Sequence, residues 1–218
     1  MAHLCASVGG NALAVCSRLG LADDPRTSVV AETLMKTQWP DGGWNCHLKA
    51  TGRRSSFHES LSTSWGLYEY AKATGDPRAE QAALRAAELF LQHRVVYSLG
   101  SGKPGRRHRR PAGEVINPEW LELRYPSYWR YDLLQALLIL SRMGKITDPR
   151  ASDALDELER RRRPDGRWAA EGRWWNPPGS KVSPEAVDWG ETGQANEMIT
   201  LNALRVLKAA GRFDPRRS

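Results

Sequence analysis

Asp24-Pro25-Arg26 opens a segment that closes with Asp41-Gly42-Gly43-Trp44, and Asp148-Pro149-Arg150 opens another that closes with Asp165-Gly166-Arg167-Trp168 at the same spacing. A third segment starts at Asp76-Pro77-Arg78 without the closing turn, and Asp214-Pro215-Arg216 carries the opening mark again. A mark that returns at fixed spacing predicts a repeat architecture. Asp accepts hydrogen bonds from the free amides of a first helical turn, and Pro suits the first helical position, where its missing donor costs nothing. Each mark therefore reads as a helix start. Upstream of each lies an apolar stretch ending in glycine: Leu4 to Gly20, Leu61 to Gly75, Tyr131 to Gly144 and Met198 to Gly211. Glycine at the end of such a stretch reads as a C-cap. The predicted unit is a helical hairpin, finished in its fullest copies by an Asp-Gly-x-Trp turn.

The two helices of the unit differ in character. Leu133 to Leu140 is apolar almost all round, which predicts burial on every side. The segment from Asp76 is striped instead, with Ala79, Ala83, Ala86 and Phe90 at helical spacing and Arg78, Glu80, Arg85 and Glu88 between them. An inner and an outer set of helices follows. Paired helices stacked in this way give an all-α solenoid or an α/α toroid-like array.

A chain of 218 residues suffices for one domain over 1–218. Three cysteines give no even disulfide framework, and no apolar run nears the roughly 20 residues a membrane helix needs. No basic residue precedes Arg18, so no signal peptide is read and a cytoplasmic setting is expected. The net charge of +7 is concentrated in two clusters, Lys103 to Arg110 and Arg160 to Arg163. The first falls in a Gly/Pro-rich stretch, Ser98 to Asn117, that reads as a mobile loop, and no aromatic residue is interleaved there to stack on bases. The second ends an outer-type helix, where the helix dipole favours cations. No specific nucleic-acid partner is expected.

Gln38-Trp39-Pro40-Asp41-Gly42-Gly43-Trp44 resembles the Gln-x-x-Asp-Gly-x-Trp repeat of squalene and terpenoid cyclases and of protein prenyltransferase β subunits, which are α/α toroids. The resemblance covers most of the chain. Ser55-Ser56-Phe57-His58-Glu59, Tyr125 to Asp132 and Arg163 to Trp168 are similar to small bacterial squalene-cyclase-like proteins. The resemblance implies an enzyme acting on an isoprenoid or other apolar substrate in an aromatic-lined central cavity. The chain departs from that pattern in two ways. It lacks the Asp-x-Asp-Asp acid motif, since Leu21-Ala22-Asp23-Asp24 has no first Asp, and its few hairpins make an incomplete toroid, which a homodimer would complete. Without such an acid, an alkene or epoxide is not protonated.

In a toroid the inner helices begin near one end of the cavity, which would gather residues from their starts. By resemblance to the prenyltransferases, zinc would be held by Cys5, Cys46 and His58, with His3 or His47 as a fourth ligand. Thiolate and imidazole in threes with one open position suit a catalytic zinc. The same residues also read as small buried thiols and a helix-start hydrogen bonder, so both readings stand. His58 with Glu59 offers acid-base chemistry without metal. Rings at Trp65, Tyr128, Trp129, Tyr131 and Trp189, with Arg130, are the substrate-binding candidates, because the resemblance places such rings against isoprenoid chains or carbocations. Trp44 and Trp168 belong to the repeat turn and read as structural. Asp132 reads as an N-cap or, more sharply, as a general acid or base, and Glu197 begins the last inner helix as a second catalytic candidate. A diphosphate substrate would add magnesium. A scaffold that binds a partner protein by its concave face is the non-catalytic alternative.

Overall fold

The computed structural model describes residues 5–46, 54–101 and 110–213. Its elements fall in two units, Met1–Phe90 and Leu91–Ser218. Sequence alone suggested one domain. The first unit is built mainly from the expected helix pairs, while the second sets its helices among a strand hairpin and long irregular segments.

The first unit holds α1 (Ala6–Arg18), α2 (Pro25–Lys36), α3 (Phe57–Thr74) and most of α4 (Pro77–Gln92). The second holds a hairpin of β1 (Tyr97–Ser101) and β2 (Arg110–Val115), a 3-10 turn at Pro118–Leu121, and α5 (Leu133–Arg142). A second 3-10 turn, Pro149–Ala151, leads into α6 (Ser152–Arg160), and α7 (Glu197–Ala209) follows a long irregular connection. The chain is thus mostly helical, as expected, with one small two-stranded sheet among the described residues.

Every described Asp-Pro-Arg mark caps a helix. Oδ1 of Asp24, Asp76 and Asp148 accepts from the backbone N–H of Arg26, Arg78 and Arg150 at 2.8, 2.8 and 2.9 Å. The Arg side chain then folds back onto the same carboxylate in all three. That pairing holds Asp24 and Asp148 down at about 2. Gly75 ends α3 at φ 76°, a left-handed cap whose N–H reaches Ala71 O at 2.7 Å. Gly20, Gly144 and Gly211 take the same sign of φ after α1, α5 and α7.

The Asp-Gly-x-Trp turn repeats bond for bond. Trp44 Nε1 donates to Leu34 O at 2.8 Å, and Trp168 Nε1 donates to Leu158 O at 2.7 Å. The backbone N–H of Trp44 is received by Ser60 Oγ and that of Trp168 by Thr200 Oγ1, at 2.9 and 3.0 Å. The Trp carbonyls accept from Ser56 N and Asn196 N, both at 2.8 Å. Ser56 and Asn196 are the N-caps of α3 and α7. The turn therefore locks its indole under the preceding helix and delivers the chain to the start of the next one. Both indoles are sealed, with Trp44 1% and Trp168 0% exposed, as a structural role requires.

In the first unit α1 and α3 touch through their backbones. A Cβ on Gly10 would come within 2.5 Å of Ser62 O and Thr63 Cα, and one on Gly66 would run into Gly10 O. The outer face of α1 departs from the expected all-round burial: Val8, Val15 and Leu19 are exposed. On α5 the run from Leu133 to Leu140 is buried as expected except at Gln135. α6 buries only Ala154, Leu155, Glu157 and Leu158, in keeping with a one-sided helix.

The Ser98 to Asn117 stretch, expected as a mobile loop, contributes paired strands where it is described. Tyr97 faces Val115, Leu99 faces Ala112 and Ser101 faces Arg110 across an antiparallel pair. Backbone pairing satisfies donors and acceptors that composition alone leaves unassigned. Lys103 to Arg109 lie outside the described residues.

Candidate metal centre

Cys5 occupies the N-cap position of α1 but gives no side-chain cap to it. The first-turn amides of α1 must then find an acceptor elsewhere. Glu59, in the first turn of α3, supplies it. Its Oε2 accepts from the backbone N–H of Ser7 at 2.8 Å and its Oε1 accepts from Ser7 Oγ at 3.1 Å. The close approach of α1 and α3 brings this carboxylate under the helix start, where its charge is also favoured by the α1 dipole. Glu59 is consequently buried, with both oxygens engaged.

The thiols gather on the same carboxylate. Cys5 Sγ donates to Glu59 Oε1 at 3.8 Å. Cys46 follows two residues after Trp44, so the locked turn carries it to the head of α3. The two Sγ atoms and a Glu59 oxygen all lie within 4.8 Å of one another. Burial, followed by hydrogen bonding to Cys5 and Glu59, pushes the Cys46 thiol up to about 12. A Cys46 thiol raised in this way keeps its proton when no cation is present. A dication inverts that preference by favouring thiolate.

The close group differs from the expected ligand set: Glu59 stands with Cys5 and Cys46, and His58 is not part of it. His3 and His47 lie outside the described residues. The donor set, two sulfurs and a carboxylate oxygen, is one that zinc accepts. The sequence missed Ser7, which fixes the carboxylate from both sides. The absence of a capping side chain at Cys5 was the available signal.

The other candidates scatter over different environments. Trp65 Nε1 donates to Glu69 Oε1 at 2.9 Å, and Glu69 pairs with Arg18 at 3.3 Å. Tyr131 is a core residue: it is 1% exposed, donates from its hydroxyl to Val95 O at 2.6 Å and packs on Trp120. A phenol sealed in this way sits in the core, whereas it was expected as a substrate-binding ring. Tyr128 and Trp129 are each 47% exposed on the surface, with Tyr128 hydrogen-bonded to Glu185. Arg130 stacks on Trp129 and Trp174, and Trp189 meets Tyr125 edge-on at 5.1 Å. Glu197 is exposed at the first position of α7, while its neighbour Asn196 does the capping through Ile199 N.

Asp132 caps α5, its Oδ1 accepting from Gln135 N at 2.8 Å. Its Oδ2 is buried without a hydrogen-bond partner among the described residues. Burial raises the carboxyl to about 7, against the pull of the Gln135 and Leu134 amides and of the Arg124 charge. Arg124 itself stacks on Trp174 at 3.7 Å and pairs with Glu122, a contact that the sequence did not reveal.

A groove of about 300 Å³ opens in the first unit along α1 and α2, with Leu13, Leu21 and Val30 in its wall and no aromatic ring among its lining residues. No helix among the described residues is long and apolar enough to cross a membrane. Comparison of the chain with protein-family models, with curated proteins and with solved structures finds no match.

Proposed function

We propose that this chain is a zinc-dependent enzyme whose ion is held by Cys5, Cys46 and Glu59, and that it performs thiol chemistry at that centre. One observation carries the reading: two thiols and a buried carboxylate, drawn from three separate segments, converge within 4.8 Å. Among the described residues the group supplies three protein donors, and three donors with one position left for water or substrate are the pattern of catalytic zinc sites. Zinc in that setting lowers the pKa of the thiol or water that shares it and so supplies a nucleophile at neutral pH. The chain's own contribution is orientation. Ser7 holds both Glu59 oxygens, the Trp44 turn sets Cys46, and the start of α1 sets Cys5.

The substrate class rests on the Gln38 to Trp44 resemblance, which points to an isoprenoid or similarly apolar molecule. An α/α toroid-like array of the helix pairs belongs to the same reading, supported by the bond-for-bond repetition of the Trp turn. The test has two arms. Protein purified without chelator should carry one zinc per chain, and Cys46→Ser should abolish it. Zinc-loaded protein incubated with prenyl diphosphates of increasing length and a thiol acceptor should give a thioether detectable by mass spectrometry. Metal-free protein with full turnover would remove the zinc reading. Stoichiometric zinc without turnover on any prenyl donor would remove the isoprenoid one.

A further inference from the structure

Cys5 and Cys46 present their sulfurs to each other as well as to Glu59. We propose that the pair closes to a reversible disulfide under hydroperoxide, so that the residues that bind the metal also release it on oxidation. The metal half rests on the zinc reading above; the disulfide itself does not.

Three features of the chain favour this pairing. The sulfurs start within 4.8 Å, and a disulfide needs about 2.05 Å, an approach that side-chain rotation can make. Neither cysteine lies inside a helix: Cys5 precedes α1, and Cys46 stands in irregular chain after the Trp44 turn, so neither rotation disturbs a helical hydrogen bond. Both are only partly covered, which leaves them open to a small oxidant. The third cysteine cannot compete within the chain. Cys16 lies on α1 at a rise of about 16 Å from Cys5, far beyond the reach of a disulfide.

The step balances in two parts. One sulfur, giving up its proton as it reacts, attacks an oxygen of the hydroperoxide; the O–O bond breaks, the proton leaves with the departing oxygen as water or an alcohol, and a sulfenic acid remains. The second sulfur, as thiolate, then attacks the first; the S–O bond breaks and the hydroxide departs as water after taking up a proton. The two sulfurs together lose two electrons, and the peroxide gains them. A dithiol reductant reverses the change by exchange. The disulfide withdraws both sulfur ligands, and Glu59 alone cannot retain zinc.

The experiment uses the whole chain carrying Cys16→Ser, with and without one equivalent of zinc, treated with hydrogen peroxide and digested without reductant. The metal-free arm decides the disulfide. The expected result is a single cross-linked species joining the Cys5 and Cys46 peptides, two hydrogens lighter than the separate pair and restored by dithiothreitol. Sulfinic or sulfonic acid at either cysteine without the cross-link would overturn it. In the zinc arm, one ion should appear in solution for each cross-link formed, read with a colorimetric chelator. A cross-linked chain that keeps its zinc would overturn the exclusion. If the parent binds no zinc while the metal-free arm cross-links, the zinc reading fails and the redox pair stands.

Discussion

The turn at Trp44 and the turn at Trp168 have the same hydrogen bonds, yet the helices they deliver differ where chemistry is concerned. Counting from the caps Ser56 and Asn196, Glu59 corresponds to Ile199 and Gly66 to Val206. The first unit spends these positions on a carboxylate and on backbone contact with α1. The second fills them with aliphatic bulk: Ile199 and Val206 are both 0% exposed. The framework tolerates this difference because the Asp caps recur in all three described copies and the indole lock recurs in the two that carry the Trp turn. The two buried carboxylates make the same point. Glu59 is satisfied on both oxygens by Ser7, whereas Asp132 is satisfied on one.

The comparison breaks most visibly at the glycine contact. Gly66→Ala should destabilise the chain by about 3 kcal/mol or more in chemical denaturation, since the methyl meets backbone that cannot give way. Val206→Ala should cost only about 1–3 kcal/mol, a cavity without a clash. Equal costs would mean that α1 and α3 are not in backbone contact.

Asp132 sharpens the contrast through pH. Its carboxyl stands at about 7 in the folded chain against an ordinary 3.8, so the folded state holds the proton more firmly between those values. Stability contributed by this group is complete below about 4, falls as pH rises and is lost above about 7. Asp132→Asn keeps an acceptor for Gln135 N and removes the titration. It should flatten the pH profile and leave the variant more stable than the parent at pH 8, by roughly 2 kcal/mol. A stability difference between parent and variant that stays the same at pH 5 and pH 8 in urea denaturation would contradict the raised carboxyl.

Smaller effects follow at the supports. Ser7→Ala leaves all three metal donors in place but frees the Glu59 carboxylate, and should weaken zinc binding about 10–100-fold in a chelator competition. Trp44→Phe and Trp168→Phe each delete one buried indole hydrogen bond, and should cost similar amounts, about 1–2 kcal/mol. Markedly unequal values would mean that the two turns are not equivalent.

The helix pairs were legible in the sequence because their signals are local. Asp24, Asp76 and Asp148 cap within two residues, and Gly20, Gly75 and Gly144 stop the chain where they stand. Cys5 and Cys46 stood out by residue type as candidate metal donors, and the fold brings them together. The choice between His58 and Glu59 was not legible, because it depends on which side of α3 faces α1, and Ser56-x-x-Glu59 reads locally as a helix capping itself. Glu59 instead caps a different helix. Tyr131 looked like a cavity ring because its hydroxyl partner, Val95 O, is distant in sequence. The β1–β2 pairing was hidden by glycine and proline, which mark strand bulges as readily as loops.

The most direct measurement is the absorption spectrum of the chain titrated with cobalt(II), for the parent and for Cys5→Ser, Cys46→Ser, Glu59→Gln and His58→Ala. The parent should bind one ion with sulfur-to-cobalt charge-transfer bands. Either cysteine variant should diminish those bands, Glu59→Gln should weaken binding, and His58→Ala should leave the spectrum unchanged. No charge-transfer band in the parent, or its loss on His58→Ala with Glu59→Gln unaffected, would contradict a centre built on Cys5, Cys46 and Glu59.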